Sequence, residues 1–205
     1  MITAVDVDGD IVLMDVQADA FFCIARDRMP DGSVAHREAI DQDAELRVEE
    51  HLAAAGLDVA RWRWADPDLA HPRCDVRHVE AGGAFPAVVA LPRMIVAGLA
   101  TAMRLRGPIA RYRVRRRACR PIDDVGLARL VATFDELRAF VPRLGRCLPH
   151  SLCLRDFLGL HGIGADIVFG VRTHPFEAHC WVERDGHVLN DTADHVAWFT
   201  PIYSC

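Results

Sequence analysis

Two of the three Asp-Gly pairs, one toward each end of the chain, constrain the fold more than any other feature. Asp8-Gly9 and Asp185-Gly186 are each flanked by alternating apolar residues. An Asp-Gly loop accepts positive φ at both positions and closes an antiparallel hairpin without fighting the twist of its strands. The first pair joins strands expected over Ile2 to Val7 and Ile11 to Val16, with a third over Ala20 to Ala25. The second joins strands over Ala178 to Arg184 and His187 to Leu189, after one over Ala165 to Val171. Between the hairpins the apolar period becomes helical. Ala44, Val48, Leu52 and Ala55 share one face of a helix from Asp41 to Ala55, which Gly56 ends. A short helix is expected between Asp58 and Leu69. Further helices are expected over Leu91 to Leu105, over Asp124 to Phe140 with Asp123 or Asp124 as cap, and from Cys147 to His161, stopping at Gly162. The fold class is therefore α+β. Residues 1–80 read as a winged-helix-like unit, the Gly, Ala and Pro-rich stretch 81–92 as a linker, and residues 93–205 as helices followed by an antiparallel sheet.

Composition excludes several classes. Of 205 residues, 51% are hydrophobic, enough for a real core. A net charge of −5 argues against general nucleic-acid binding. The longest apolar stretch, Ala84 to Met103, is broken by Pro86, Pro92 and Arg93, so no membrane span is expected. The N-terminus lacks a basic start followed by an apolar block, which makes a cytoplasmic location the expectation. Seven cysteines, an odd number with no Cys-x-x-Cys pair, suggest neither a disulfide framework nor a zinc site, and no metal is expected. Six arginines between Arg111 and Arg120 form a solvated face or a docking patch for an acidic peptide.

Chemistry concentrates in the second half. Proline is tolerated in the first turn of a helix, so Pro149 puts the helix start at Cys147. A thiol there meets the positive end of the helix dipole, which favours the thiolate. The backbone N–H groups of Cys147 and Leu148 could hold the oxyanion formed when it attacks a carbonyl. Strand parity places His179, Trp181 and Glu183 on one face and Cys180 and Val182 on the other, so Cys180 is a poor nucleophile beside His179. Counting back from the hairpin puts Asp191 opposite His179 or Cys180, where it could orient the imidazole. Asn190 and Asp194 are fallback orienters, while His174, His187 and His195 read as exposed loop or turn residues. Cys153 lies about 240° around the helix from Cys147 and faces elsewhere. The order of thiol at a helix start, imidazole on a strand and carboxylate on the next is that of papain-like and transglutaminase-like sites.

The motifs that carry these residues resemble the B protein of lasso-peptide biosynthesis. They are Gly145-Arg146-Cys147-Leu148-x-x-Ser151-Leu152, Phe176-x-Ala178-His179-x-Trp181-Val182-Glu183, Gly186-x-Val188-Leu189-Asn190-Asp191 and Phe199-x-Pro201-Ile202. Cys180 stands where a small residue, often alanine, is expected, a harmless change if it faces the core. Gly9 to Asp15 followed by Ala20-Phe21-Phe22 is similar to the start of a PqqD-like leader-recognition domain. The resemblance implies a cysteine peptidase with Cys147, His179 and Asp191 as catalytic set, which removes the leader of a ribosomally made precursor peptide. It implies that the leader adds a strand at Phe21, Phe22, Cys23 and Ile24 and packs on a helix near Trp62 and Trp64, residues whose other reading is core packing. It further implies an asparagine-synthetase-like cyclase as partner and no cofactor. Transglutaminase-type acyl transfer and a non-catalytic precursor-presenting module are the alternatives.

Overall fold

The computed structural model describes residues 1–18, 20–25, 37–66, 69, 72, 74–76, 87–106, 120–141 and 144–205, with side chains from 44 onward in the first helix and from 88 onward in the second. Asp8-Gly9 and Asp185-Gly186 each close a two-residue hairpin. Asp8 and Gly9 have φ of 54° and 92°, and Asp185 and Gly186 have 49° and 82°, as a type I′ turn requires. The first joins β1 (Ile2–Val7) to β2 (Asp10–Asp15), and β3 (Ala20–Ile24) pairs with the far edge of β2. Helix α1 (Arg37–Ala54) lays Ala44, Val48 and Leu52 on Ile2, Ala4, Ile11 and Leu13. Val12 and Met14 point to the opposite face and join the main core. Because β2 is covered on both faces, it reads as an unbroken apolar run rather than an alternating one.

Trp62 and Trp64 depart from expectation. After a single 3-10 turn, Val59–Arg61, they lie on β4 (Trp62–Trp64), which pairs parallel with β1 and completes the order β3-β2-β1-β4. Their period is two: both tryptophans are half-buried around an exposed Arg63, and both pack on the α1 cluster. They are core residues on a strand, not a helix offered to a peptide.

The expected boundaries also shift. The strand β5 (Cys74–Asp75) pairs parallel with a strand of the second sheet, and Val76 joins the main core, which holds residues of both halves. Helix α2 (Ala87–Arg104) includes six residues read as linker, with Pro92 in its second turn. The remainder of that stretch, 81–86, lies outside the described residues, as do 111–119 of the arginine cluster.

Helix α3 (Asp124–Leu137) starts as expected, with the Asp123 carboxylate accepting from Gly126 N at 3.0 Å, and ends in a 3-10 turn, Arg138–Phe140. Helix α4 (Cys147–Leu160) follows, then β6 (Asp166–Arg172), β7 (Glu177–Arg184), β8 (His187–Val188), α5 (Ala193–Val196) and β9 (Thr200–Ser204). The second sheet has the order β5-β8-β7-β6-β9. The edge strand β9 was not expected from the sequence, because Pro201 argues against a strand. An edge tolerates proline, and the register slips there: Gly170 pairs with Pro201 but Phe169 with Tyr203. One face of this sheet packs Phe169, Val171, Cys180 and Val182 against α4. The other packs Val168, Trp181, Val188, Val196 and Phe199 together.

Candidate active site

The nucleophile position begins with an uncapped helix. Arg146 occupies the N-cap with extended φ and ψ of −116° and 153°, and its side chain makes no capping hydrogen bond. Pro149 has no N–H to satisfy, while His150 N donates to Arg146 O at 3.2 Å. The N–H groups of Cys147 and Leu148 lie in the first turn, where an α-helix offers them no partner of its own.

The histidine strand is aligned by a buried polar knot. Ser151 lies one helical turn after Cys147 and is fully buried. Its hydroxyl donates to Cys180 O at 3.2 Å and accepts from Asn190 Nδ2 at 2.9 Å. Asn190 Oδ1 in turn accepts from Val182 N at 2.8 Å, where the β7–β8 ladder has run out. Asn190 therefore ties the loop that carries Asp191 to β7 rather than orienting the imidazole. Asp194, on α5, is exposed.

Strand parity is as expected, with Cys180 in the α4 face and the His179 ring 6.0 Å from Trp181 and 5.1 Å from Phe199. Because β7 meets β8 only at Glu183 and Arg184, no strand among the described residues pairs with that edge of β7 at residue 179. The thiol at the start of α4 meets both the His179 ring and the Cys180 thiol there. His179 Nε2 lies 2.6 Å from Asp191 Oδ2, which leaves Nδ1 for the thiol.

The electrostatics follow from these contacts. The Cys147 thiol is lowered to about 4: the Cys180 hydrogen bond is the largest cause, burial opposes it, and the His179 hydrogen bond and charge add to it. Cys180 is itself pushed well up, chiefly by its hydrogen bond to Cys147 and by burial, and its thiol donates to Ser151 Oγ at 3.9 Å. His179 is raised to about 9; burial opposes the shift, and hydrogen bonds to Asp191 and Cys147 overcome it. Asp191 is lowered to about 2 against burial, by bonds from His179, His195 and Thr192 N. Cys153, fully buried on α4, is raised to about 11 by that burial and is a packing residue.

Sequence reasoning missed two residues. His195 is not an exposed loop histidine: it sits on α5 with Nδ1 at 3.0 Å and 2.9 Å from the two Asp191 oxygens. Ser151 stands in the quoted motif without a role, and a hydroxyl one helical turn after Cys147 was the available signal. The ligand-capable atoms of His179, Asp191 and His195 lie within 4.8 Å of one another, close enough to share a cation. Their 2.6–3.0 Å separations are those of shared protons, and we read them as a hydrogen-bonded set. On the first sheet, Phe21, Phe22, Cys23 and Ile24 lie on the edge strand β3, far from this site in sequence but linked to its neighbourhood. Phe21 packs 5.9 Å from Phe176, and Asp10 pairs with His174 at 3.0 Å, both partners lying in the turn that leads into β7.

Residues 89–204 match the family model described as Transglutaminase-like superfamily. A stretch of 45 residues is 49% identical to the microcin J25-processing protein McjB of Escherichia coli, and covers 22% of this chain and 22% of that protein. The match thus spans about a fifth of that relative's length. No solved structure matches the chain significantly.

Proposed function

The chain belongs to the transglutaminase-like superfamily, and from that premise we propose that it is a cysteine peptidase that removes the leader of a ribosomally made lasso-peptide precursor. One observation carries the reading: a thiol at a helix start meets a histidine whose Nε2 is 2.6 Å from a carboxylate. The partial likeness to a microcin-processing protein supports the substrate class.

The steps follow from the proton positions. The Cys147 thiolate attacks the last leader carbonyl, forming a C–S bond. The oxygen becomes an oxyanion that the N–H groups of Cys147 and Leu148 receive. Collapse breaks the C–N bond, and the His179 imidazolium gives its proton to the leaving amine. Water then attacks the thioester, yields its proton to His179, and releases the leader carboxylate and the thiolate. Asp191 holds the ring through both transfers.

Leader capture is assigned to β3, whose outer edge pairs with no strand among the described residues. An extended leader adding there would gain backbone hydrogen bonds and lie near the turn that leads into β7. Holding the leader raises the local concentration of the scissile bond at Cys147. The freed core peptide then passes to an asparagine-synthetase-like cyclase.

The test is incubation of the full chain with its precursor peptide, read by mass spectrometry. Expected are two fragments that sum to the precursor plus one water, and no cleavage by Cys147→Ala. The superfamily also favours a second reading, acyl transfer to an amine. A product carrying a labelled amine in place of that water would establish it instead.

A further inference from the structure

We propose that His195 is a positioning residue of this site, which fixes the plane of the Asp191 carboxylate so that Asp191 can orient His179. The proposal deepens the peptidase reading and rests on it for its kinetic consequence.

The torsion that turns an aspartate carboxylate is broad, so a single bond to a histidine leaves its plane free. His179 Nε2 engages Oδ2 alone at 2.6 Å, and Thr192 N engages Oδ1 alone at 2.8 Å. His195 Nδ1 spans both oxygens, at 3.0 Å and 2.9 Å. Its own position is fixed from three sides. Thr192 Oγ1 accepts from His195 N at 3.2 Å, and Asp75 Oδ2 accepts from Ala193 N at 3.3 Å at the start of α5. The ring packs edge-on against Trp198 and Phe199, each at 5.5 Å, and Phe199 also carries the His179 ring. The ionisable groups around it are Asp191 beside it, His179 from β7, Cys147 from α4, Asp75 from β5, Asp194 on its own helix, and Arg172 from β6, whose guanidinium lies 5.8 Å over Trp198. An imidazole N–H shared between the two oxygens of one carboxylate fits this setting.

Two variants separate the hydrogen bond from the packing. His195→Phe keeps a ring against Trp198 and Phe199 but removes the donor. His195→Asn removes the ring but places an amide N–H where Nδ1 was. We expect His195→Phe to lower kcat for precursor cleavage about tenfold, the scale of one hydrogen bond to a charged group, with KM unchanged. Iodoacetamide labelling of Cys147 as a function of pH should show its upper step, the loss of the imidazolium proton, at lower pH than in the wild type. His195→Asn should restore both. The labelling profile needs no peptide, so a chain that cleaves no precursor still tests the positioning role. A His195→Phe profile identical to wild type, or an upper step moved to higher pH, would overturn it; the latter would make His195 a competing donor. Loss in His195→Asn with none in His195→Phe would assign the effect to ring packing and overturn it as well.

Discussion

At the scale of the residue, the account turns on where one proton resides. With the Cys147 thiol at about 4 and His179 at about 9, the pair is thiolate and imidazolium between those limits. Acid below the lower limit protonates the sulfur, and base above the upper limit removes the proton that the leaving amine needs. Cleavage against pH should therefore be a bell with a plateau from about 5 to 8, its limbs belonging to the coupled pair. A limb that rises only near pH 8, as an ordinary thiol of about 8.5 would give, would contradict the ion pair. The sequence reading assigned the activated thiol to the helix start and treated Cys180 as a bystander in the core. The structure agrees that Cys180 is buried, but makes its thiol the largest single cause of the lowered Cys147. Cys180→Ala is thus predicted to move the lower limb of the bell upward, measurable as slower labelling of Cys147 at pH 5. Cys147, His179 and Asp191 were legible because their order along helix, strand and hairpin survives as sequence order. His195 was not, because a four-residue helix leaves no periodic pattern, and its bond to Asp191 depends on how the chain turns after β8.

At the scale of the element, the site is a helix fastened to a strand. Removing the Ser151 hydroxyl leaves Asn190 Nδ2 and Cys180 O without their buried partner. Ser151→Ala should cost about 1–3 kcal/mol in urea unfolding, and should lower cleavage more than its stability loss explains. The face that carries His179 has its own constraint at Gly170, which pairs with His179 across the β6–β7 ladder. A Cβ there would lie 2.7 Å from the Trp181 ring and 2.9 Å from Phe199 Cβ. Trp181 is fully buried and Phe199 nearly so. Gly170→Ala should therefore destabilise the chain by about 1–3 kcal/mol as overpacking does, and an unchanged urea midpoint would contradict the packing described. Most elements were legible from period and turn chemistry. The exceptions have local causes: Pro201 concealed an edge strand, Pro92 and the neighbouring Gly and Ala concealed the first turns of α2, and the short Trp62–Trp64 strand depends on pairing with β1, which sequence spacing does not encode.

At the scale of the whole molecule, the two sheets share one core. Val7, Val12 and Met14 of the first sheet, with Val16 just after β2, belong to the same buried cluster as α2, α3, α4 and the second sheet, and β5 lies in the second sheet. The proposed division of labour, leader recognition in residues 1–80 and cleavage in residues 93–205, is thus laid on a body without a hydrophobic boundary between the parts. A chain beginning at residue 85 loses that cover and β5, and should melt at lower temperature than the full chain in circular dichroism. An unchanged melting temperature would show that the shared core contributes little. If β3 captures the leader, precursor with backbone N-methyl groups in the paired segment should show a raised KM and an unchanged kcat. No helix among the described residues is long and apolar enough to cross a membrane.

The most direct test uses the sulfur itself. The full chain is alkylated with limiting iodoacetamide at pH 6, and residual precursor cleavage is plotted against the fraction of Cys147 modified, counted by peptide mass spectrometry. At that pH an ordinary thiol of about 8.5 is under about 1% ionised, so labelling should fall first on Cys147 and cleavage should decline in proportion, to zero at full modification. Complete modification of Cys147 with cleavage retained, or loss of cleavage that tracks a different cysteine, would contradict the account.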